Sequence, residues 1–123
     1  MEKSKKTMVI GASTNPSRYS YRCIHQLKAN GHEVIAIGLK DGEVAGIGIQ
    51  KGLTPVIDVD TVTLYVGPSN QEVYINYVLE EIKPKRLIFN PGTENNEFME
   101  KANKQGIDAF EACTLVMMST GQF

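Results

Sequence analysis

One stretch near the start of the chain decides its fold class: Met8-Val9-Ile10-Gly11-Ala12-Ser13-Thr14-Asn15-Pro16-Ser17-Arg18-Tyr19-Ser20-Tyr21-Arg22. Three apolar residues lead directly into a glycine, turn-forming residues follow, and a helical pattern then begins. This strand, loop and helix start is typical of the first unit of a nucleotide-binding α/β sheet. Glycine lets the backbone turn sharply and approach a phosphate, and the N-terminus of the helix favours an anion.

The dinucleotide fingerprint G-x-G-x-x-G is incomplete in this loop. Its glycine positions would be Gly11, Ser13 and Pro16, and only the first is a glycine. An ordinary turn between a strand and a helix therefore stays open as an alternative. Polar side chains around the turn favour a ligand site, and Arg18 is suited to bidentate binding of a phosphate, with a solvated loop arginine as the alternative. These polar residues are Ser13, Asn15, Ser17, Arg18 and Ser20.

Length and composition predict a single domain spanning residues 1–123. The chain is 41% hydrophobic and 22% charged, with a net charge of −1. This charge argues against strong non-specific binding to nucleic acid or to an anionic membrane. Two cysteines, Cys23 and Cys113, without the pattern of a secretory signal favour a reducing, cytoplasmic setting, and no apolar run is long enough to span a bilayer.

The rest of the chain alternates strand and helix patterns. This alternation predicts an α/β protein with a Rossmann-like open parallel sheet of about five strands and helices on both faces. The expected strands are 7–10, 34–37, 61–66, 86–89 and 107–110, with a short edge strand within 43–52. The expected helices are 20–30, a second that begins at a capping box of Ser69 and Glu72, 97–105, and a short one within 111–118.

The loops after three strands are the expected ligand site. With a strand order of 3-2-1-4-5, the loops after Ile10, Ile37 and Val66 meet at the switch point of the sheet. Their backbone N–H groups, hydroxyl groups and the side chains of Arg18 and Lys40 predict a site for a phosphate-bearing nucleotide.

Lys40 also bears on the identity of the nucleotide. It is the first charged residue after the second strand, where NAD enzymes place an acidic residue that binds the ribose. NAD is therefore disfavoured, although Asp41 beside it keeps an NAD-like role open. A lysine here suits a phosphorylated ribose or another anion, and a solvated strand-end lysine is the alternative.

The sequence shows no evident catalytic set. His25 falls within the first predicted helix and His32 follows it, so we expect structural or solvated roles for both. Cys113 is the candidate nucleophile, and we expect it to be a buried, inert thiol. Asp58 and Asp60 lack further partners for a metal ion, and no HExxH, CxxC or GxSxG motif is present.

Residues 11–21 carry the motif Gly-Ala-Ser-x-x-Pro-x-Arg-x-Ser-Tyr. With Gly67-Pro68 and Cys113, this motif resembles that of the small single-domain CoA-binding proteins, which are built like the CoA-binding domain of succinyl-CoA synthetase-type ligases. The resemblance runs from Val9 to about Met118. It implies a Rossmann-like fold and coenzyme A, or an acyl-CoA, as the ligand. The ligases act through a phosphorylated histidine on a further domain that has no counterpart here, so ligase activity is not implied.

The resemblance also implies roles for particular residues. The backbone of residues 11–13 would lie along the pyrophosphate of CoA, and residues 18–21 would support that loop or the phosphates. Lys40 would lie near the nucleotide, and residues 67–69 would flank the adenine or the ribose. The complete set expected to bind the cofactor is Gly11, Ala12, Ser13, Asn15, Arg18, Ser20, Tyr21, Lys40, Gly67, Pro68 and Ser69.

The leading interpretation is a protein that binds CoA or acyl-CoA at the carboxyl ends of the parallel strands, without chemistry of its own. One alternative is an NAD(P)-linked enzyme. Another is an interaction or regulatory subunit of a split acyl-CoA ligase, supported only by the apolar stretch 115–123, which could cover a groove or contact a partner. A homo-oligomer or a protein partner stays open, and we expect neither nucleic acid nor membrane as a partner.

Overall fold

The fold is built on one mostly parallel sheet. The computed structural model describes residues 4–123, and these residues form seven strands in the order β3-β4-β2-β1-β5-β6-β7. All neighbouring pairs are parallel except β3 and β4, which form an antiparallel hairpin. The strands are β1 Thr7–Ile10, β2 Val34–Ile37, β3 Gly42–Val44, β4 Ile47–Gln50, β5 Thr61–Leu64, β6 Arg86–Phe89 and β7 Asp108–Glu111.

Helices cover both faces of the sheet. They are α1 Tyr19–Ala29, α2 Glu72–Asn76, α3 Asn96–Lys104 and α4 Thr114–Ser119, and α2 continues as a π-helical turn Tyr77–Ile82. Successive residues of a strand point to opposite faces, so β1 places Val9 beneath α1 and α4, and Met8 and Ile10 beneath α2 and α3. The expected α/β class is confirmed. Within residues 4–123, no helix combines the length and the apolar character that crossing a bilayer requires.

Two expectations about the sheet were wrong. The edge segment forms two strands instead of one, because Ala45 and Gly46 both adopt a positive φ, 52° and 82°, and so make the two-residue turn of a hairpin. The order 3-2-1-4-5 also fails for the five expected strands. The third of them, β5, pairs with β1, because β4 occupies the free edge of β2. The switch point therefore lies between β1 and β5.

The expected capping box of Ser69 and Glu72 is not formed. Ser69 lies within a short 3-10 turn, Pro68–Asn70, and α2 begins at Glu72 without a side-chain cap. The buried side chain of Gln71 holds this segment in place. Its Nε2 donates to the carbonyl oxygens of Val66 and Thr93, both at 2.8 Å. Hydrogen bonds from Gln71 to the segments that follow β5 and β6 therefore hold the start of α2 in place of a side-chain cap.

The apolar stretch 115–123 packs against the chain's own sheet. Met118 and Phe123 are buried in the core on the face of α1. The guanidinium of Arg86 lies 4.5 Å from the ring centre of Phe123 and donates to the Phe123 carbonyl oxygen at 2.9 Å. The ring of His32 meets the same phenyl ring edge-on at 5.1 Å. The stretch therefore completes the core, and the interaction-subunit alternative loses its sequence support.

Replacing Phe123 tests this role of the stretch. We expect Phe123→Ala to lower the free energy of unfolding by about 3 kcal/mol, because it removes a buried ring and its contact with Arg86. Urea denaturation measures the change. The control is Val116→Ala on the exposed side of α4, where we expect a loss of about 0.5 kcal/mol or less. Equal effects of the two substitutions would contradict the packing described here.

Candidate functional site

The loop after β1 is fastened to both neighbouring strands. The backbone N–H groups of Gly11 and Ala12 both donate to the carbonyl oxygen of Ile37 at 2.9 Å. On the other side, the N–H of Tyr65 donates to the carbonyl oxygen of Ile10 at 2.8 Å. The loops after β2, β1 and β5 therefore meet at one edge of the sheet, as the sequence predicts.

Two glycines allow these loops to approach each other closely. Gly11 has a φ of 99°, and a Cβ on it would lie 2.9 Å from the carbonyl carbon and oxygen of Tyr65. A Cβ on Gly38 would lie 2.5 Å from the carbonyl oxygen of Ala12. Backbone thus packs directly on backbone on both sides of the loop. The sequence pointed to Gly11 but missed Gly38, whose only signal was a glycine directly after an apolar strand.

Side chains within the loop hold its shape. The hydroxyl of Ser13 accepts from the N–H of Asn15 at 3.1 Å, and the Asn15 carbonyl accepts from the N–H of Arg18 at 3.0 Å. The side-chain oxygen of Asn15 accepts from the N–H and the hydroxyl of Ser17, at 3.0 and 2.8 Å. The Asn15 side chain is thus engaged within the loop, as is the Ser13 hydroxyl.

The N-terminus of α1 is open to an anion. Arg18 stands at the cap position, makes no side-chain cap, and no acidic residue occupies the first turn. The first N–H groups of a helix have no partner within the helix. In that turn, Ser20 is buried and Tyr21 is half-buried, so both side chains lie against the protein.

Arg18 and Lys40 are unneutralised cations on the surface of this edge. Both are exposed, and neither belongs to the ion pairs found among residues 4–123. Asp41, beside Lys40, pairs with Lys51 at 3.2 Å. The remaining predicted site residues, 67–69, follow β5, with Gly67 half-buried and the other two exposed.

A buried network of polar side chains lies beneath this edge, and the sequence did not predict it. Asn90, directly after β6, donates to the hydroxyl of Thr63 at 2.7 Å and to the carbonyl oxygen of Leu64 at 2.9 Å. Its side-chain oxygen accepts from the N–H of Thr114 at 2.9 Å, and the two threonine hydroxyls lie 2.8 Å apart. This network joins the ends of β5 and β6 to the start of α4. An asparagine directly after an apolar strand was its only signal.

A second set of bonds joins the loops after β5 and β6. The side-chain oxygen of Gln71 accepts from the side-chain amide of Asn95 at 2.9 Å. Asn95 in turn caps α3 by accepting from the N–H of Phe98 at 3.1 Å, so the helix begins at Asn96, one residue before the expected start. The far side of the candidate site is therefore held by side chains.

Two buried groups lie behind the loop of β1. Burial raises the pKa of the Cys23 thiol to about 12. Burial, and then the neighbouring Cys23, raise the pKa of the Tyr65 phenol above its ordinary range. Cys23 is therefore a neutral thiol at physiological pH and a poor nucleophile. Cys113, expected to be buried, is half-buried at the start of α4.

The other candidate catalytic and metal residues lie elsewhere. His25 is exposed on α1, and His32 is buried before β2, where its Nδ1 accepts from the N–H of Lys5 at 2.9 Å. Asp60 accepts from the hydroxyl of Thr61 at 2.7 Å. Across residues 4–123, His, Cys, Asp and Glu side chains form no group of three that could hold a metal ion.

Several solved structures are similar to this chain. An uncharacterized protein of known crystal structure is 48% identical, with a TM-score of 0.96, over 99% of this chain and 100% of that one. A conserved hypothetical protein from Pyrococcus furiosus is 27% identical, with a TM-score of 0.77, over 91% and 97% of the two chains. A hypothetical protein from Pyrococcus horikoshii OT3, 24% identical with a TM-score of 0.84 over 95% and 83%, shares the fold. No protein with a curated description matches.

A family model described as a CoA binding domain matches residues 5–119. The match includes the loop after β1 and the loops after β2 and β5. The chain therefore belongs to the CoA-binding domain family that its motif resembles.

Proposed function

We propose that the chain binds coenzyme A or an acyl-CoA across the carboxyl ends of β2, β1 and β5, without chemistry of its own. The observation that carries this proposal is the loop after β1, where backbone packs tightly at Gly11 and leads into an open helix N-terminus beside Arg18. Such a helix start supplies N–H groups and a positive dipole end to a phosphate. Membership of the CoA-binding domain family supports CoA as the ligand.

The proposed roles follow from where each group lies. The backbone of residues 11–13 would run along the pyrophosphate, while Arg18 would pair with a phosphate. Ser20 and Tyr21, which lie against the protein, would support the loop, and Asn15 would set its shape. Lys40 would bind an anionic group on the β2 side, and residues 67–69 would contact the nucleotide on the β5 side.

An NAD(P)-linked enzyme is the less favoured alternative. The acidic residue that kept an NAD-like role open, Asp41, is engaged by Lys51 at 3.2 Å, and Lys40 remains without an ion pair. A cation at this strand end disfavours NAD, whereas it suits a phosphorylated ribose, as in CoA or NADP. The missing second and third glycines of the dinucleotide fingerprint, at Ser13 and Pro16, count against both NAD and NADP. We further propose that residues 1–123 form a single Rossmann-like, nucleotide-binding domain that works in the cytoplasm. This proposal rests on the sequence pattern and on the composition.

Removing both cations tests the site. We expect Arg18→Ala combined with Lys40→Ala to weaken CoA binding by roughly 25-fold, about five-fold for each exposed charge pair. Calorimetric titration with CoA measures the change, with NAD and ADP titrated in parallel.

The matched control combines Lys101→Ala with Lys104→Ala on α3, which removes the same charge from the other face of the sheet. We expect this control to bind CoA as the wild type does. Wild-type affinity in the Arg18 and Lys40 variant would remove these residues from the site. A wild-type protein that binds NAD and not CoA would overturn the proposed function.

The close approach of backbone at Gly38 gives a second test. We expect Gly38→Ala to weaken CoA binding at least ten-fold and to lower the free energy of unfolding by about 2 kcal/mol, because the new Cβ must displace the Ala12 carbonyl. Titration and urea denaturation measure the two effects. Gly48→Ala in β4 is the control, since its Cβ would meet no heavy atom within 4 Å. Unchanged CoA binding in Gly38→Ala would contradict a ligand role for the loop that Gly38 supports.

A further inference from the structure

Strand β7 lies at one edge of the sheet, so within residues 4–123 no strand neighbours its outer side. The N–H groups of Asp108 and Ala112 donate to carbonyl oxygens of β6 at 2.9 and 3.1 Å. Because backbone groups alternate in direction along a strand, those of Ala109 and Glu111 point away from the sheet. A row of outward-pointing backbone groups is a template on which another chain can pair.

The side chain of Asn103 occupies part of this edge. Asn103 lies in the last turn of α3, and its Oδ1 accepts from the N–H of Ala109 at 3.0 Å. Its Nδ2 donates to the carbonyl oxygen of the same residue at 3.3 Å. A side-chain amide carries a donor and an acceptor, as a peptide group does. Asn103 therefore bonds to Ala109 as the backbone of a neighbouring strand would.

A second copy of this chain would meet the β7 edge about a two-fold axis, with the two strands antiparallel. In an antiparallel pair, two opposite residues whose backbone groups face each other exchange both of their hydrogen bonds. Ala109 could lie opposite Glu111 of the second copy, or opposite Ala109 of that copy. Every hydrogen bond in these two registers uses the backbone of Ala109, which Asn103 already occupies in each copy.

A register that avoids Ala109 places Glu111 of one copy opposite Glu111 of the other. The side chain of Glu111 is exposed, and it belongs to none of the ion pairs among residues 4–123. Like charges directly opposite each other destabilise a pair of strands. The charge of Glu111 therefore disfavours the register that Asn103 leaves open.

We infer that the side chain of Asn103 closes the edge of β7 and so prevents two copies of this chain from joining into one continuous sheet. Glu111 acts with it by disfavouring the remaining register. The inference concerns the assembly of the chain and does not depend on the proposed binding of CoA.

Removing the Asn103 amide tests the inference. We expect Asn103→Ala to fold, because the side chain is exposed and alanine is favourable in a helix. Its dissociation constant for self-association should fall roughly ten-fold or more below that of the wild type, because the freed groups of Ala109 gain hydrogen bonds. Sedimentation velocity over a series of protein concentrations measures the change. The matched control is Asn96→Ala in the first turn of α3, which should associate as the wild type does.

Amide hydrogen exchange locates the contact. In the wild type, we expect the N–H of Ala109 to exchange more slowly than that of Glu111 at every protein concentration, because only Ala109 is bonded to Asn103. In Asn103→Ala, both amides should exchange rapidly in dilute protein and become protected as the concentration rises.

Three results would overturn the inference. The first is wild-type sedimentation of Asn103→Ala with an unchanged thermal melting curve. The second is association of this variant that leaves the amides of Ala109 and Glu111 unprotected, which would place the contact elsewhere. The third is equal exchange of these two amides in the wild type, a result that does not require the variant to fold.

Discussion

The contact of backbone with backbone at the carboxyl ends of β1 and β2 is the constraint on which the site depends. Gly38 leaves room for the carbonyl oxygen of Ala12, and Gly11 leaves room for the carbonyl of Tyr65 on the other side. The loop after β1 is thereby wedged between two strand ends. This close packing fixes the direction of the loop and the point at which α1 can begin, because a side chain at either glycine would force the loop outward.

Side-chain hydrogen bonds take over where backbone contact ends. On the β5 and β6 side, Asn90 and Gln71 are buried, and each satisfies several groups from other elements. A buried amide left without partners is costly, so such networks hold their members in one arrangement. The candidate site thus has one wall of close-packed backbone and one wall of bonded amides. The exposed side chains of Arg18 and Lys40 project from the segments that these contacts hold in place.

The local sequence pattern predicted the strands and helices but not which strands lie next to each other in the sheet. The apolar strands and α1 were found within one or two residues, because periodicity and turn residues report on the chain near them. The strand order failed because it depends on the hairpin after β2, and Ala45 in a left-handed conformation carries no clear signal. The capping box failed because Ser69 lies inside the 3-10 turn Pro68–Asn70 and so does not stand at the cap position of α2. Gln71 stands there instead, and its side chain bonds to Thr93, a residue 22 positions away. Arg18 could be predicted from a motif and Lys40 from its place after a predicted strand, whereas the pairing of Asp41 with Lys51 required the structure.

The stretch from Thr114 to Phe123 bears on the point in synthesis at which the domain can fold. It is bonded to Asn90 at one end of β6 and to Arg86 at the other, and Phe123 packs against His32 near the start of the chain. A nascent chain that has reached only β7 therefore lacks the cover over β6 and leaves apolar surface on the face of α1 open to water. Chains generally acquire stable structure as whole cooperative units. Translation must accordingly pass this stretch before the face of α1 can close, and until then the nascent domain exposes the apolar surface that Met118 and Phe123 later cover.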